Sequence, residues 1–369
     1  MTITIKPARR LVRLPRPLHP AAWWGWALGL ATAASRTTNP ILLALVAVVA
    51  AFVVAARRTE APWAKGFRTY LVFGIVVIAI RVVFRMVLGG EDGGHRLFTL
   101  PSIPLPDAAA GIRIGGPVSL EGVLAALYDG LRLATLVACV GAANVLADPK
   151  RLLKAMPAAL HEVGVAVTVA LTVAPQLVES GQRIRRARRL RGEPGQGLRR
   201  FLPEVVVPVL TDALDRSLLL AAAMDSRGYG RLAAVPRHLR TATAALVLGG
   251  LAGIAVGTYG LLDTTAPRVL GLPLLALGLT AAAVGTHVGG RRVIRSRYRP
   301  DRWRAAEWAV TATGLAVGGT MVLLGSIDPG DLNPSLQPLR WPTVPTLPVL
   351  AIGLGLLPAV LAPPVEATA

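Results

Sequence analysis

The sequence predicts an all-α, polytopic integral membrane helix bundle with long cytoplasmic helices. Three observations carry that prediction. Hydrophobic residues make up 53% of the 369 and are gathered into runs close to the length a helix needs to cross a bilayer, about 20 residues. The 40 Lys and Arg outnumber the 20 Asp and Glu, yet the cations lie almost entirely between alternate runs and not along the whole chain. One long stretch, residues 148–240, has basic flanks and apolar interior segments, a pattern of helices lying along a membrane face.

The candidate spans are residues 21–34, 40–56, 67–88, 120–146, 241–262, 269–288, 305–324 and 346–361. With the N-terminus in the cytoplasm, the cations before the first span, those at 57–68, those of 148–240 and those at 291–304 are all inside. Only Arg36, Arg96, Arg113, Arg268 and Arg340 fall outside, the asymmetry that the resistance of cationic loops to translocation favours. The chain reads as a multi-pass protein of the cell (cytoplasmic) membrane in three parts: transmembrane helices at 1–147, a cytoplasmic helical region at 148–240 and further transmembrane helices at 241–369. The first span is short, and Trp23, Trp24 and Trp26 are expected to anchor it at the interface. The same start also fits a secretory signal with a small-residue site at Ala31-Thr32-Ala33, or a re-entrant hairpin up to Ala56.

Residues 89–117 are rich in Gly and Pro and read as an irregular external cap, with Pro101, Pro104 and Pro106 breaking any helix. Residues 328–345 read as a proline-rich extended linker. Cys139, the single cysteine, sits in an apolar run and reads as a small core residue. Arg81, Arg85 and Arg132 fall within spans, where structural pairing is favoured, Arg132 with Asp129 or Glu121.

Within 148–240, residues 205–227 read as a helix. Thr211, Asp212, Asp215 and Arg216 share one face, Asp212 and Arg216 are spaced for an ion pair, and Leu210, Leu214 and Leu218 line another face. Gly228 after Arg227 suits the left-handed residue that ends a helix, and Arg227 complements the dipole. An earlier segment closes alike: Arg183, Arg185, Arg186, Arg188, Arg189 and Arg191 crowd toward Gly192. A bland reading makes these well-formed helix ends and a headgroup-facing cluster. The repeat of Leu190-Arg191-Gly192 by Ser226-Arg227-Gly228, after Asp225, favours a shared task.

This ordered set resembles the transmembrane T component of energy-coupling factor (ECF) transporters, the EcfT/CbiQ family. His19-Pro20, Ser119-Leu120-Glu121-Gly122, Asp148-Pro149-Lys150-Arg151, Ala174-Pro175-Gln176-Leu177 and Leu214-Asp215-Arg216 join the two Arg-Gly endings in that likeness, over about residues 15–262. Leu190 stands where Ala is common in the family, Thr172-Val173-Ala174 replaces its usual lead into Pro175, and the spans after Val269 exceed a minimal T component. The resemblance implies coupling helices whose ends, Leu190, Arg191, Gly192, Asp225, Ser226, Arg227 and Gly228, dock on two ATP-binding-cassette (ABC) ATPase subunits or a fused pair, supported by Pro175, Asp215 and Arg216. It implies a small substrate-binding membrane subunit, the S component, as a further partner, and uptake of a vitamin or trace metal.

Arginine suits such docking because its planar fork holds a carboxylate in two parallel bonds, and the following glycine admits a partner's backbone. The chain has no phosphate loop of its own: none of its four lysines stands in the Gly-rich pattern, so ATP chemistry belongs to a partner. The split of charge across the membrane makes the lipid bilayer, not nucleic acid, the partner of the basic segments. Five scattered histidines, His19, His95, His161, His238 and His287, supply no metal cluster, and no cofactor site is read. The rival class is a Mg-dependent prenyl or phosphoalcohol transferase, which needs clustered aspartates; Asp212 and Asp215 are the one close pair in a helix. A channel or carrier working alone is the second rival.

Overall fold

The computed structural model describes residues 16–59, 66–88, 94–104, 113–155, 161–192, 202–228, 236–262, 267–290 and 301–364. They form a helical membrane protein whose contacts divide into two units, one built from residues up to 152 together with 301–369 and the other from 153–300.

The first unit begins with α1 (Pro20–Ser35) and α2 (Pro40–Arg57). Both start on the same device: an extended residue, His19 or Asn39, whose side chain accepts the N–H two residues on, followed by a proline that needs no donor partner in the first turn. Next come α3 (Phe67–Val87), strands β1 (Arg96–Pro104) and β2 (Arg113–Ser119), α4 (Leu120–Leu146) and α5 (Pro149–Lys154). Ser119 caps α4 by accepting the Gly122 N–H at 3.3 Å.

The strands correct the irregular cap expected at 89–117. Pro101 and Pro104 do exclude helix, but in a two-stranded antiparallel ribbon every strand is an edge, where proline is tolerated; register shifts between Arg96 and Phe98 and between Leu100 and Ile103 absorb the misfit. Pro106 lies outside the described residues.

Two findings revise the reading of α1. Trp23 and Trp26 are core residues, not interface anchors, and the Trp26 indole N–H donates to the Gly355 carbonyl at 3.1 Å. Their burial follows from α10 (Ala305–Ile327), which lies along α1. A Cβ on Gly29 would overlap the Gly314 carbonyl and one on Gly318 would come within 2.9 Å of the Gly29 oxygen, so the two backbones touch as small-residue helix pairs do in lipid. The same unit contains α11 (Pro329–Leu332), α12 (Thr346–Leu354) and α13 (Pro358–Leu361). The last two replace the single span expected at 346–361, with Pro358 in the first turn of the second piece. The proline-rich stretch before them is tied to the α1–α2 turn, through Thr37 to the Leu332 carbonyl and Asn39 to that of Thr343.

Charge fixes the ends of this unit. Glu307, fully buried, accepts the Arg16 Nη2 group at 2.6 and 2.8 Å and the Arg304 N–H at 3.0 Å. Arg57 donates to the carbonyls of Ala359 and Pro363, the last-turn acceptors of α13 and just beyond it. Cys139 is buried in the core, as its apolar run suggested.

The second unit contains α6 (His161–Leu190), a π-helical turn at Leu202–Val206, α7 (Val207–Ser226), α8 (Arg237–Leu262) and α9 (Leu272–Gly290). The helix expected from residue 205 therefore becomes α-helical only at Val207, with Pro208 in its first turn. α8 and α9 form a close hairpin: a Cβ on Gly253 would lie 3.1 Å from the Gly278 Cα.

Among the described residues, seven helices are long and apolar enough to cross a membrane: α2, α3, α4, α6, α8, α9 and α10. α1, at 16 residues, falls short, and α6 meets the criterion through its apolar part from Val163. The exposure of Val72, Phe73, Ile75, Val76, Ile80, Val83 and Phe84 along α3 is what a lipid-facing helix requires.

Candidate functional site

The two Arg-Gly endings have the same backbone chemistry. Gly192 follows α6 at φ 76° and Gly228 follows α7 at φ 75°, both in the left-handed region that favours glycine. A Cβ on Gly192 would meet nothing within 4 Å, so backbone conformation and not crowding demands a glycine there. In each case the chain tightens as it leaves the helix: Gly192 N–H donates to the Arg189 carbonyl at 3.2 Å, and Gly228 N–H to that of Asp225 at 2.9 Å.

Both endings are presented outward. Leu190 is 89% exposed, an unusual position for a leucine with no neighbour to cover it. Arg191, Asp225, Ser226 and Arg227 are exposed as well. The Ser226 hydroxyl donates back to the Ala223 carbonyl at 2.9 Å, bracing the last turn. Among the described residues neither the Arg191 nor the Arg227 guanidinium has an ion-pair partner, and no bond joins the two endings.

What holds α6 and α7 together is a polar cluster centred on Asp212. Its Oδ1 accepts Arg216 Nε at 3.1 Å, and its Oδ2 accepts the Ser180 hydroxyl at 2.7 Å, with Arg216 Nη2 at 3.1 Å and Arg183 Nη2 at 3.5 Å. The hydroxyl of Ser180, first, and then Arg216 hold the Asp212 carboxyl below the usual aspartate range. The i, i+4 pair of Asp212 and Arg216 follows from spacing alone. Ser180, 32 positions earlier and buried, carries no periodic signal that could have marked it. A second tie, Arg188 to Glu204 at 2.5 Å, joins α6 to the π-helical turn.

Pro175 stands exposed inside α6 without ending the helix. Asp215 is exposed on α7 and makes none of the bonds of the Asp212 cluster. With both oxygens of Asp212 engaged by donors, the Asp212 and Asp215 pair does not form a cation cradle. Among the described residues no three His, Cys, Asp or Glu side chains gather as a metal site.

The intramembrane arginines also differ from expectation. Arg132 donates to the Ser35 carbonyl at the end of α1, and its guanidinium thus satisfies a helix terminus. Asp129 faces Arg81 at 3.6 Å, while Glu121 accepts the His95 N–H at 2.9 and 3.0 Å and faces its Nδ1 at 2.8 Å. Arg132 could not have been paired from the sequence, because its acceptor is a main-chain oxygen.

The fold defines a polytopic helical membrane protein, two of whose helices end in exposed Arg-Gly termini. The profile of the CbiQ family, described as cobalt transport protein, matches residues 12–236. A stretch of 128 residues is 34% identical to the energy-coupling factor transporter transmembrane protein EcfT of Thermanaerovibrio acidaminovorans, covering 30% of this chain and 47% of that relative. The chain belongs to the CbiQ family. It spans less than half the length of the curated relative it matches, and residues beyond 236, including α8 to α10, lie outside the family match.

Proposed function

We propose that this protein is the T component of an ECF-type importer, with α6 and α7 as its coupling helices. The N-terminus and both Arg-Gly endings lie on the cytoplasmic side, where two ABC ATPase subunits, or a fused pair, each receive one ending. The observation that carries this reading is the twin, outward arginine with no counter-charge among the described residues, each followed by a left-handed glycine. An arginine already paired within its own chain would have nothing to offer a partner's carboxylate; these two do.

Closure of the ATPases around ATP then moves the two helix ends, and the Asp212 cluster passes that movement between α6 and α7. The exposed aliphatic row Leu210, Leu214 and Leu218 on α7 is the surface offered to a small substrate-binding membrane subunit. Cargo selection resides in that subunit, and the cargo class is a vitamin or a trace metal, cobalt among them by the description of the family.

Replacing Arg191 and Arg227 together by Glu tests the reading. Co-expressed ATPase subunits are expected to stay with membranes carrying the parent chain and to be lost from those carrying the double variant at equal membrane level. Unchanged association, or Mg-dependent turnover of an isoprenoid substrate by the chain alone, would contradict it.

A further inference from the structure

Two adjoining cavities between α6 and α7 differ in chemistry. One, of about 330 Å3, is lined chiefly by apolar groups, with Val169, Val173 and Leu177 from α6 facing Ala213 and Leu220 from α7. The other, of about 420 Å3, is lined by Arg183 and Arg186 from α6 and Arg216 from α7, with Gln176, Glu179 and Gln182. Gln176 and Arg216 line both, so the two adjoin across these side chains, and each is within the roughly 300 to 1,000 Å3 range of ligand sites.

The charges in the polar half are not equivalent. Asp212 occupies Arg216 and reaches Arg183, which fixes both guanidinium groups at the rim. Arg186 follows Arg183 by three positions and so shares its helix face. Among the described residues no carboxylate is bonded to it, and Glu179 is the one acid lining that cavity. Three guanidinium groups against two lining carboxylates, Glu179 and the Asp212 of the adjoining trough, leave a net positive groove centred on Arg186, which complements an anion that carries a hydrocarbon chain. Basic pockets between helices at the cytoplasmic face are suited to such head groups.

We propose that this groove seats one anionic phospholipid of the cytoplasmic leaflet, its phosphate among Arg183, Arg186 and Arg216 and an acyl chain along Val169, Val173 and Leu220. The lipid wedges between the two helices beside the Asp212 cluster, so the α6–α7 angle depends on an anionic leaflet. From the proposed function this takes only the cytoplasmic placement of α6 and α7. Its test contains no ATPase, so failure here leaves the coupling reading standing, and the converse holds.

The full-length chain, purified in detergent and mixed with phosphatidylglycerol, is weighed intact by native mass spectrometry. One retained phosphatidylglycerol per chain is expected, with at least a tenfold drop in retention for Arg186→Glu and for Val173→Trp, which fills the trough. Arg185→Glu removes the same charge from a neighbouring position that does not line the groove, and is expected to retain the lipid. Arg186 is exposed, so its substitution leaves the helix contact intact. The proposal is overturned by equal retention in Arg186→Glu and the parent, by equal loss in Arg185→Glu, or by phosphatidylcholine held as well as phosphatidylglycerol. Displacement of the lipid by millimolar inorganic phosphate would assign the site to a free anion and would equally overturn it.

Discussion

At Gly228 a single backbone angle decides whether α7 ends in a usable shape. A φ of 75° costs an L side chain roughly 1–2 kcal/mol, so Gly228→Ala is expected to weaken ATPase association about 5- to 30-fold. Asn tolerates the left-handed region better, and Gly228→Asn is expected to lose distinctly less in the same titrated pull-down. Equal effects of the two would place the role of glycine in partner clearance and not in conformation. A different kind of residue effect attaches to Glu307, buried and held by Arg16. Arg16→Ala strands that carboxylate and is expected to cost about 3–5 kcal/mol, read as a lowered unfolding temperature in detergent. Glu307→Gln, which removes the charge as well as the pair, is expected to be milder.

Two helix pairings can be separated by experiment. α1 and α10 meet at Gly29 and Gly314, so Gly29→Leu is expected to drive them apart and to expose Cys139, in the same core, to thiol reagents. α6 and α7 meet at Asp212, whose carboxyl sits below its ordinary value of about 3.9. A depressed folded value means that the ionised contact contributes in full above the ordinary value and is lost as pH falls through the depressed one. Spin labels at Gln182→Cys and Thr211→Cys are therefore expected to keep one narrow distance from pH 8 to pH 5 and to spread only in stronger acid. Asp212→Asn is expected to broaden that distance already at neutral pH.

The elements differ in how far they could be read in advance. Apolar run length locates α2, α3 and α4 to within one residue and α10 to within three, because each must bury backbone polarity within one helix. Run length says nothing about which helix will be covered by another, so it leaves Trp23 and Trp26 at the interface, whereas α10 buries them. The β1–β2 ribbon was missed because prolines at 101 and 104 argue against a strand in general and not against an edge. The two Arg-Gly endings were legible because a helix C-terminus is written locally, in residues adjacent in sequence. The Ser180 contribution and the Ser35 carbonyl that holds Arg132 join residues far apart in sequence, and no local pattern encodes them.

For the molecule as a whole, the decisive physical quantity is the side on which charge resides. A net charge of +20 spread over both faces would resist insertion, whereas confinement of most cations to one face makes a single orientation favourable. The proposed orientation would put the basic half of α6, the Asp212 cluster and both glycine-terminated endings on the same side as cytoplasmic ATP. α6 is the element under most tension in this view. Its 30 residues extend about 45 Å, apolar at the start and strongly basic toward Leu190, so the proposed orientation requires its apolar part to meet lipid while its end stays in water. The most direct measurement introduces a cysteine at the exposed Ala223, one turn before Arg227, with the buried Cys139 as the silent background, and labels it with a membrane-impermeant maleimide. Labelling is expected in inside-out vesicles alone and is expected to be blocked when the ATPase subunits are bound. Labelling in right-side-out vesicles, or full labelling in the presence of bound ATPases, would contradict the assignment of these helix ends as the docking points.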